Sequence, residues 1–279
     1  MTTRPGSHPR SMADDGRAAR AVGLIGSPSP QASVVYRLVL ALVHTIGRGI
    51  FGFRTDVRGR AHLPRTADGR PSGGWIAAGL PHRTWVDPFV VVDILPVEPR
   101  LIFFGDGPTM VRSAWRRWLV RWVGGVIPIW PGGDRKVIEA YLAAATAAVD
   151  AGAVLCLFPE TGPATPPGTS RPFGSGLAYF ALRTGAPIVP LILGGAHELY
   201  RGRRLRLDIL EPVSWQELVG VPPDTPPPQP WSSEERRIAH RVTLAFHENT
   251  SAAVAATHLA TMSPPGERKR WSWLTTAWH

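Results

Sequence analysis

His82 and Asp87, five positions apart in His82-Arg83-Thr84-Trp85-Val86-Asp87, are the residues of this chain best suited to proton-transfer chemistry. A histidine exchanges a proton near neutral pH, and a carboxylate bonded to it fixes one tautomer and stabilises the imidazolium. On a continuous helix the two side chains would point about 140° apart, so they can cooperate only from a loop. The flanking residues provide that break. Trp75 to Ala78 reads as a short apolar strand, while Pro88 biases Asp87 away from the helical region and suits the first position of a helix that Asp87 caps. The predicted order is strand, loop carrying His82, and a helix through Phe89 to Ile94. The same residues also fit a plain helix cap beside an ordinary loop histidine.

A second element strengthens the chemical reading. Ala153 to Phe158 is a continuous apolar run of strand length, followed by Pro159 and Glu160. A carboxylate at the end of a buried strand lies where open α/β sheets place ligand contacts. A third apolar run, Pro187 to Leu193, follows a helix-like segment and ends in Gly194-Gly195.

In order and spacing these segments resemble the glycerolipid acyltransferase superfamily, the lysophosphatidic acid acyltransferase-like enzymes, from Val57 to Pro212. His82 and Asp87 match its His-x4-Asp motif. Gly125-Val126-Ile127-Pro128-Ile129, then Asp134-Arg135 after Trp130-Pro131-Gly132-Gly133, approximate its second block. Phe158-Pro159-Glu160-Thr161-Gly162-Pro163 matches part of the third, and Ile188-Val189-Pro190 the fourth. Smaller echoes are Val57-Arg58-Gly59 before His62-Leu63-Pro64, and Arg171-Pro172-Phe173 before Gly176.

The resemblance implies an α/β fold: one acyltransferase domain with a mixed central sheet flanked by helices and an N-terminal amphipathic helix. It implies acyl transfer from a thioester, acyl-CoA or acyl carrier protein, to a hydroxyl of a lysophospholipid or related lipid. His82 is then the general base and Asp87 its orienter. Glu160, Thr161, Gly162 and Arg171 contact substrate, and Arg135 meets the acceptor phosphate or another anionic group. The thioester carries the activation, so no metal or further cofactor is implied. Three positions depart from the family: Pro163 replaces the arginine that closes the third block, Gly174 the usual lysine, and Pro81 the usual asparagine before the histidine. A nonphosphorylated acceptor, and a noncatalytic membrane-associated lipid-binding protein, therefore stand as alternatives; retention of both His82 and Asp87 favours the enzyme.

The elements that must position these residues follow from patterning. At 279 residues and 44% hydrophobic content the chain can bury a substantial core. The expected organisation is a disordered basic arm over 1–30, an interfacial helix over 31–53, the catalytic domain over 54–220, a proline-rich linker over 221–231, and a C-terminal helix with a basic aromatic tail over 232–279. Asp134 to Asp150 and Gly176 to Thr184 read as helices and Leu205 to Leu210 as the last strand. Ser232 and Glu235 suggest a capping box for a helix reaching Ala256. The single cysteine, Cys156, falls inside a predicted strand and reads as a small buried apolar residue.

The net charge of +10 favours polyanionic surfaces. Within Val34 to Phe53, Arg37, His44 and Arg48 interrupt the apolar run at spacings that gather them on one face, which fits a helix lying on a membrane or one packed on the domain. Arg112 to Trp122 and Arg268 to Trp278 interleave tryptophans with basic residues, a pattern suited to a lipid interface. The expected partners are membrane lipids and the acyl donor, at the cytoplasmic face of a membrane as a peripheral or monotopic protein. No nucleic-acid motif accompanies the charge, and His240 with His247 lacks a third metal ligand.

Overall fold

The computed structural model describes residues 33–84, 86–107, 113–114, 125–129, 135–161 and 166–275. Short β-branched and apolar runs form strands β1 (Arg54–Arg58), β2 (Trp75–Leu80), β3 (Leu101–Asp106), β4 (Val126–Ile129), β5 (Val154–Leu157), β6 (Ile188–Gly194) and β7 (Arg204–Ile209). They make one sheet in the order β1-β7-β6-β2-β5-β3-β4. The five strands from β6 to β4 run parallel, whereas β7 is antiparallel to β6 and carries β1 parallel at the edge. The sheet is therefore mixed, as expected. Strands β2 and β6 are buried along their whole length, which is why they read as continuous apolar runs.

Helices α1 (Val34–His44), α2 (Asp87–Ile94), α3 (Arg135–Asp150), α4 (Gly176–Thr184), α5 (Trp215–Val219) and α6 (Ser233–Leu259) surround it. Ile76, Ala78 and Leu80 of β2 face the core built with α3, α4 and α6, including Ala145, Leu182 and Phe246. The alternate residues Trp75 and Ala77 face the other core with Val90, Val91 and Ile94 of α2. Cys156 is fully buried in this second core, and burial pushes its thiol far up.

Several local expectations are corrected. Asp87 does not cap α2: Val86 holds that position and Asp87 is the first helical residue, because its carboxylate is drawn back to the preceding loop. At α6, Ser232 Oγ accepts from Glu235 N at 3.0 Å, but the Glu235 carboxylate turns to Arg183 and Trp231 N instead of closing a box. The helix continues to Leu259, beyond Ala256. A reciprocal box forms at α5, between Ser214 and Glu217. The N-terminal helix also changes pitch, its α-helical part ending at His44 and a π-helical turn spanning Thr45–Ile50.

Arg37, His44 and Arg48 do share a face, and although each side chain is about half exposed, all three reach carboxylates on the domain. Arg37 pairs with Glu98, His44 Nδ1 lies 2.6 Å from Asp93 Oδ1, and Arg48 reaches Asp93 Oδ2 at 3.0 Å. Val34, Leu38 and Leu42 are left 73%, 64% and 58% exposed. Among the described residues no helix is long and apolar enough to cross a membrane. At the other end of the chain Leu274 is buried, and Leu199 N donates to Thr275 Oγ1 at 2.8 Å, so the tail is docked up to that point. The basic arm, Gly162, Asp134, Trp278 and all of Arg112 to Trp122 except Ser113 and Ala114 lie outside the described residues.

Glu235 is fully buried and held by Arg183 through two bonds, Nε to Oε1 at 2.6 Å and Nη2 to Oε2 at 3.1 Å. Breaking such a pair from one side strands a buried charge and costs about 3–5 kcal/mol. Arg183→Met should therefore lower the urea midpoint sharply, while adding Glu235→Leu should restore part of the loss; a single variant as stable as wild type would contradict the pairing.

Candidate active site

The candidate side chains leave the carboxyl ends of adjacent parallel strands, His82 after β2 and Glu160 after β5, where such sheets hold ligands. Asp87 is wholly buried. Its Oδ2 accepts from Arg83 N at 2.6 Å, Thr84 N at 2.7 Å and His82 Nδ1 at 3.1 Å, and its Oδ1 accepts from Thr84 Oγ1 at 3.2 Å. The loop wraps around one carboxylate. Because that carboxylate only accepts, His82 carries its proton on Nδ1 and presents the lone pair of Nε2. The ring stacks on Phe158 with centroids 4.4 Å apart, and a third of the side chain remains exposed.

Glu160 ties the second strand end to the first. Its Oε2 accepts from His82 N and its Oε1 from Arg171 N at 2.8 Å, so one carboxylate bridges both loops. Burial raises its pKa, opposed by these two backbone bonds and by Arg83 and His82. Thr161 Oγ1 donates to Pro172 O at 3.2 Å, closing the same corner.

Arg83 is the contributor that sequence reasoning passed over, although it sits inside the His-x4-Asp span. Its guanidinium donates to Pro166 O at 2.8 Å and Thr169 O at 2.7 Å, tying the segment just before Arg171 to the loop that carries His82. Burial lowers its pKa, with Glu160 and then Asp87 opposing. Residues of α6 support the loop from beneath. Ser170 Oγ lies 3.2 Å from His247 Nε2, and Gly168, at φ +83°, passes so close to His258 that a Cβ would meet its ring at 3.0 Å. His197 stands edge-on to His258 at 4.8 Å and is pushed down to about 4 by burial, then by His258 and Arg203. Arg135 is held elsewhere: its Nε bonds Glu139 Oε1 at 2.8 Å and its guanidinium lies 4.9 Å over the Trp231 ring.

The sequence profile of the Acyltransferase family matches residues 54–194, half of the chain. The chain belongs to the Acyltransferase family. No curated protein matches it. Among solved structures it is similar to the 1-acyl-sn-glycerophosphate (LPA) acyltransferase PlsC from Thermotoga maritima, at 20% identity and a TM-score of 0.49, over 78% of this chain and 81% of that one.

The matched span contains β1 through β6 with His82, Asp87, Glu160 and Arg171, whereas β7 and α6 lie beyond it. In this acyltransferase the loop support from His247 and His258 therefore comes from outside the matched span. The close fit at His82 has a direct test. A Cβ on Gly79 would meet the Phe158 ring at 2.5 Å, so Gly79→Ala must move the ring on which His82 stacks. Overpacking of this kind costs about 1–3 kcal/mol. The expected result is a modest fall in melting temperature with a disproportionate loss of acyl transfer, read on one preparation; unchanged turnover would show that the stack does not position His82.

Proposed function

We propose that this acyltransferase moves a fatty acyl group from a thioester, acyl-CoA or acyl carrier protein, to a hydroxyl of a lysophospholipid or related lipid. The observation that carries the reading is the His82–Asp87 pair: a buried, four-times-bonded carboxylate holding one imidazole nitrogen of a side chain that stays one-third exposed. His82 Nε2 takes the proton as the acceptor oxygen attacks the thioester carbonyl carbon. The new C–O bond forms, the C–S bond breaks, and the imidazolium returns the proton to the leaving thiolate. Asp87 stabilises the imidazolium meanwhile.

The enzyme works from the cytoplasmic face of a membrane, with the exposed apolar stripe of α1 against the lipid. A recess of 260 Å³ between the π-helical turn and α2, lined by Val43, Phe51, Phe53, Val86, Phe89 and Val90, suits an acyl chain, and its lining includes Val86, the residue before Asp87. His82→Ala should lower the single-turnover rate about 10²–10⁴-fold while leaving the fold intact. Asp87→Asn should also be severe, since an amide would present N–H groups to the loop donors. Equal rates for wild type and His82→Ala with a competent acceptor would reject acyl transfer by this site and favour a noncatalytic lipid-binding protein.

For a phosphorylated acceptor, either Arg135 or Arg171 supplies the cation that Pro163 cannot. Arg171 is favoured because its backbone bonds the same carboxylate that holds His82, whereas the guanidinium of Arg135 is stacked on Trp231. A charge-assisted hydrogen bond contributes about 1.5–3 kcal/mol, or about 10- to 150-fold. Arg171→Ala should raise the KM for a lysophosphatidate-like acceptor by such a factor and leave that for an uncharged alcohol little changed, with Arg135→Ala milder. Indifference of both acceptors to both substitutions would point to a nonphosphorylated acceptor.

A further inference from the structure

The edge of the sheet carries a charge arrangement that the fold does not require. Arg54, Asp56 and Arg58 of β1 stand in register with Arg204, Arg206 and Asp208 of β7. Two rows match opposite charges, Asp56 beside Arg206 and Arg58 beside Asp208. The first row sets Arg54 beside Arg204. Neighbouring strands are about 4.8 Å apart and side-by-side like charges are unfavourable, so this row is stabilised when an anion lies between the two arginines. Both are exposed, and among the described residues neither is paired with a carboxylate.

The other cations nearby are committed. Arg206 bonds Asp208 at 2.7 Å and Arg58 bonds Asp56 at 3.3 Å. Arg203, almost fully buried, donates to Gly195 O, Tyr200 Oη, Ser263 Oγ and Thr261 O and serves as a wall. Arg204 lines an open polar cleft of 570 Å³ between the sheet edge and the segment after α6 together with these committed residues, and unlike theirs its guanidinium has no bonded partner among the described residues; Arg54 stands beside it just outside the cleft lining.

The adjoining turn joins the segment after α1 to the segment after α6. Gly202 N donates to Phe51 O at 2.8 Å, just past the π-helical turn, and Arg201 N donates to Arg270 O at 2.8 Å in the C-terminal tail. The Arg201 guanidinium lies 5.0 Å over the Trp271 ring. Ile50, Trp271 and Trp273 are 51%, 40% and 58% exposed. Apolar and tryptophan side chains among unpaired arginines are the composition of a protein face at the headgroup level of a bilayer.

We propose that Arg54 and Arg204 form a seat for the phosphate of an anionic membrane phospholipid, flanked by Arg201 and Trp271, so that both segments and the sheet edge dock on lipid as one surface. The occupant is a lipid phosphate because the seat is continuous with exposed apolar side chains that a freely soluble anion would leave in water. The seat rests on the membrane-surface reading above but not on turnover, and binding is measured without substrate.

The test compares Arg54→Gln/Arg204→Gln with Arg60→Gln/Arg236→Gln, which removes the same charge from exposed positions elsewhere. Each is partitioned onto phosphatidylcholine vesicles with and without phosphatidylglycerol. A basic residue at the surface contributes about fivefold, so the first variant should bind phosphatidylglycerol vesicles about 25-fold more weakly, the control far less, and neither should change on pure phosphatidylcholine. Equal losses in the two variants would mean diffuse attraction and overturn the seat. In neutral detergent micelles the KM for acyl-CoA should be the same for both variants and wild type. A raised KM with vesicle binding intact would make the seat one for donor phosphates and overturn the lipid assignment. His82→Ala should retain vesicle binding, which separates failure of the seat from failure of the acyl-transfer reading.

Discussion

A carboxylate removed from water must be met by donors, and among the described residues Asp87 takes its donors from the six-residue stretch that ends with itself. Satisfying it fixes the path of the chain from His82 to the start of α2. The same bonds that make burial tolerable orient the imidazole, so stability and proton chemistry share one set of contacts. Glu160 repeats the device one strand away, joining the loop after β2 to the chain at Arg171. The two carboxylates link three loop segments into a single unit.

That unit depends on the helix that closes the sheet. α6 covers one face through Ala239, Val242, Phe246 and Val254, and its polar side chains reach in both directions. His247 meets Ser170, while Thr257 donates to Asp208 Oδ2 at 2.5 Å. Gly194, at the end of β6, would place a Cβ 2.7 Å from Thr257, so the absence of a side chain there lets helix and strand approach closely. A long amphipathic helix thus contacts both the segment before Arg171 and strand β7.

The N-terminal helix leaves apolar side chains exposed beside its half-exposed basic ones. Its basic residues are satisfied by Asp93 and Glu98 on the domain, and leucines point outward. Outward leucines forgo the burial of apolar area that a helix packed for stability alone would gain. These ion pairs hold the helix on the domain while leaving its apolar stripe for another surface.

The sequence determined what local chemistry and periodicity determine. The break between His82 and Asp87 follows from proline and helical geometry, the runs at Trp75, Ala153 and Pro187 announce themselves as buried strands, and Gly176 to Thr184 has the bounds of the observed helix. Strands β1, β3 and β4 were not legible as strands: β1 alternates charge at an edge, β3 ends in Gly105-Asp106, and β4 is a four-residue run interrupted by Pro128. Nor could spacing reveal that Arg83 holds the loop before Arg171, that Arg135 lies on Trp231, or that Arg54 stands beside Arg204. Each is a contact between residues separated by dozens of positions, set by the order of strands in the sheet. Local sequence fixes which residues can do chemistry; only the register and the packing of α6 decide which of them meet.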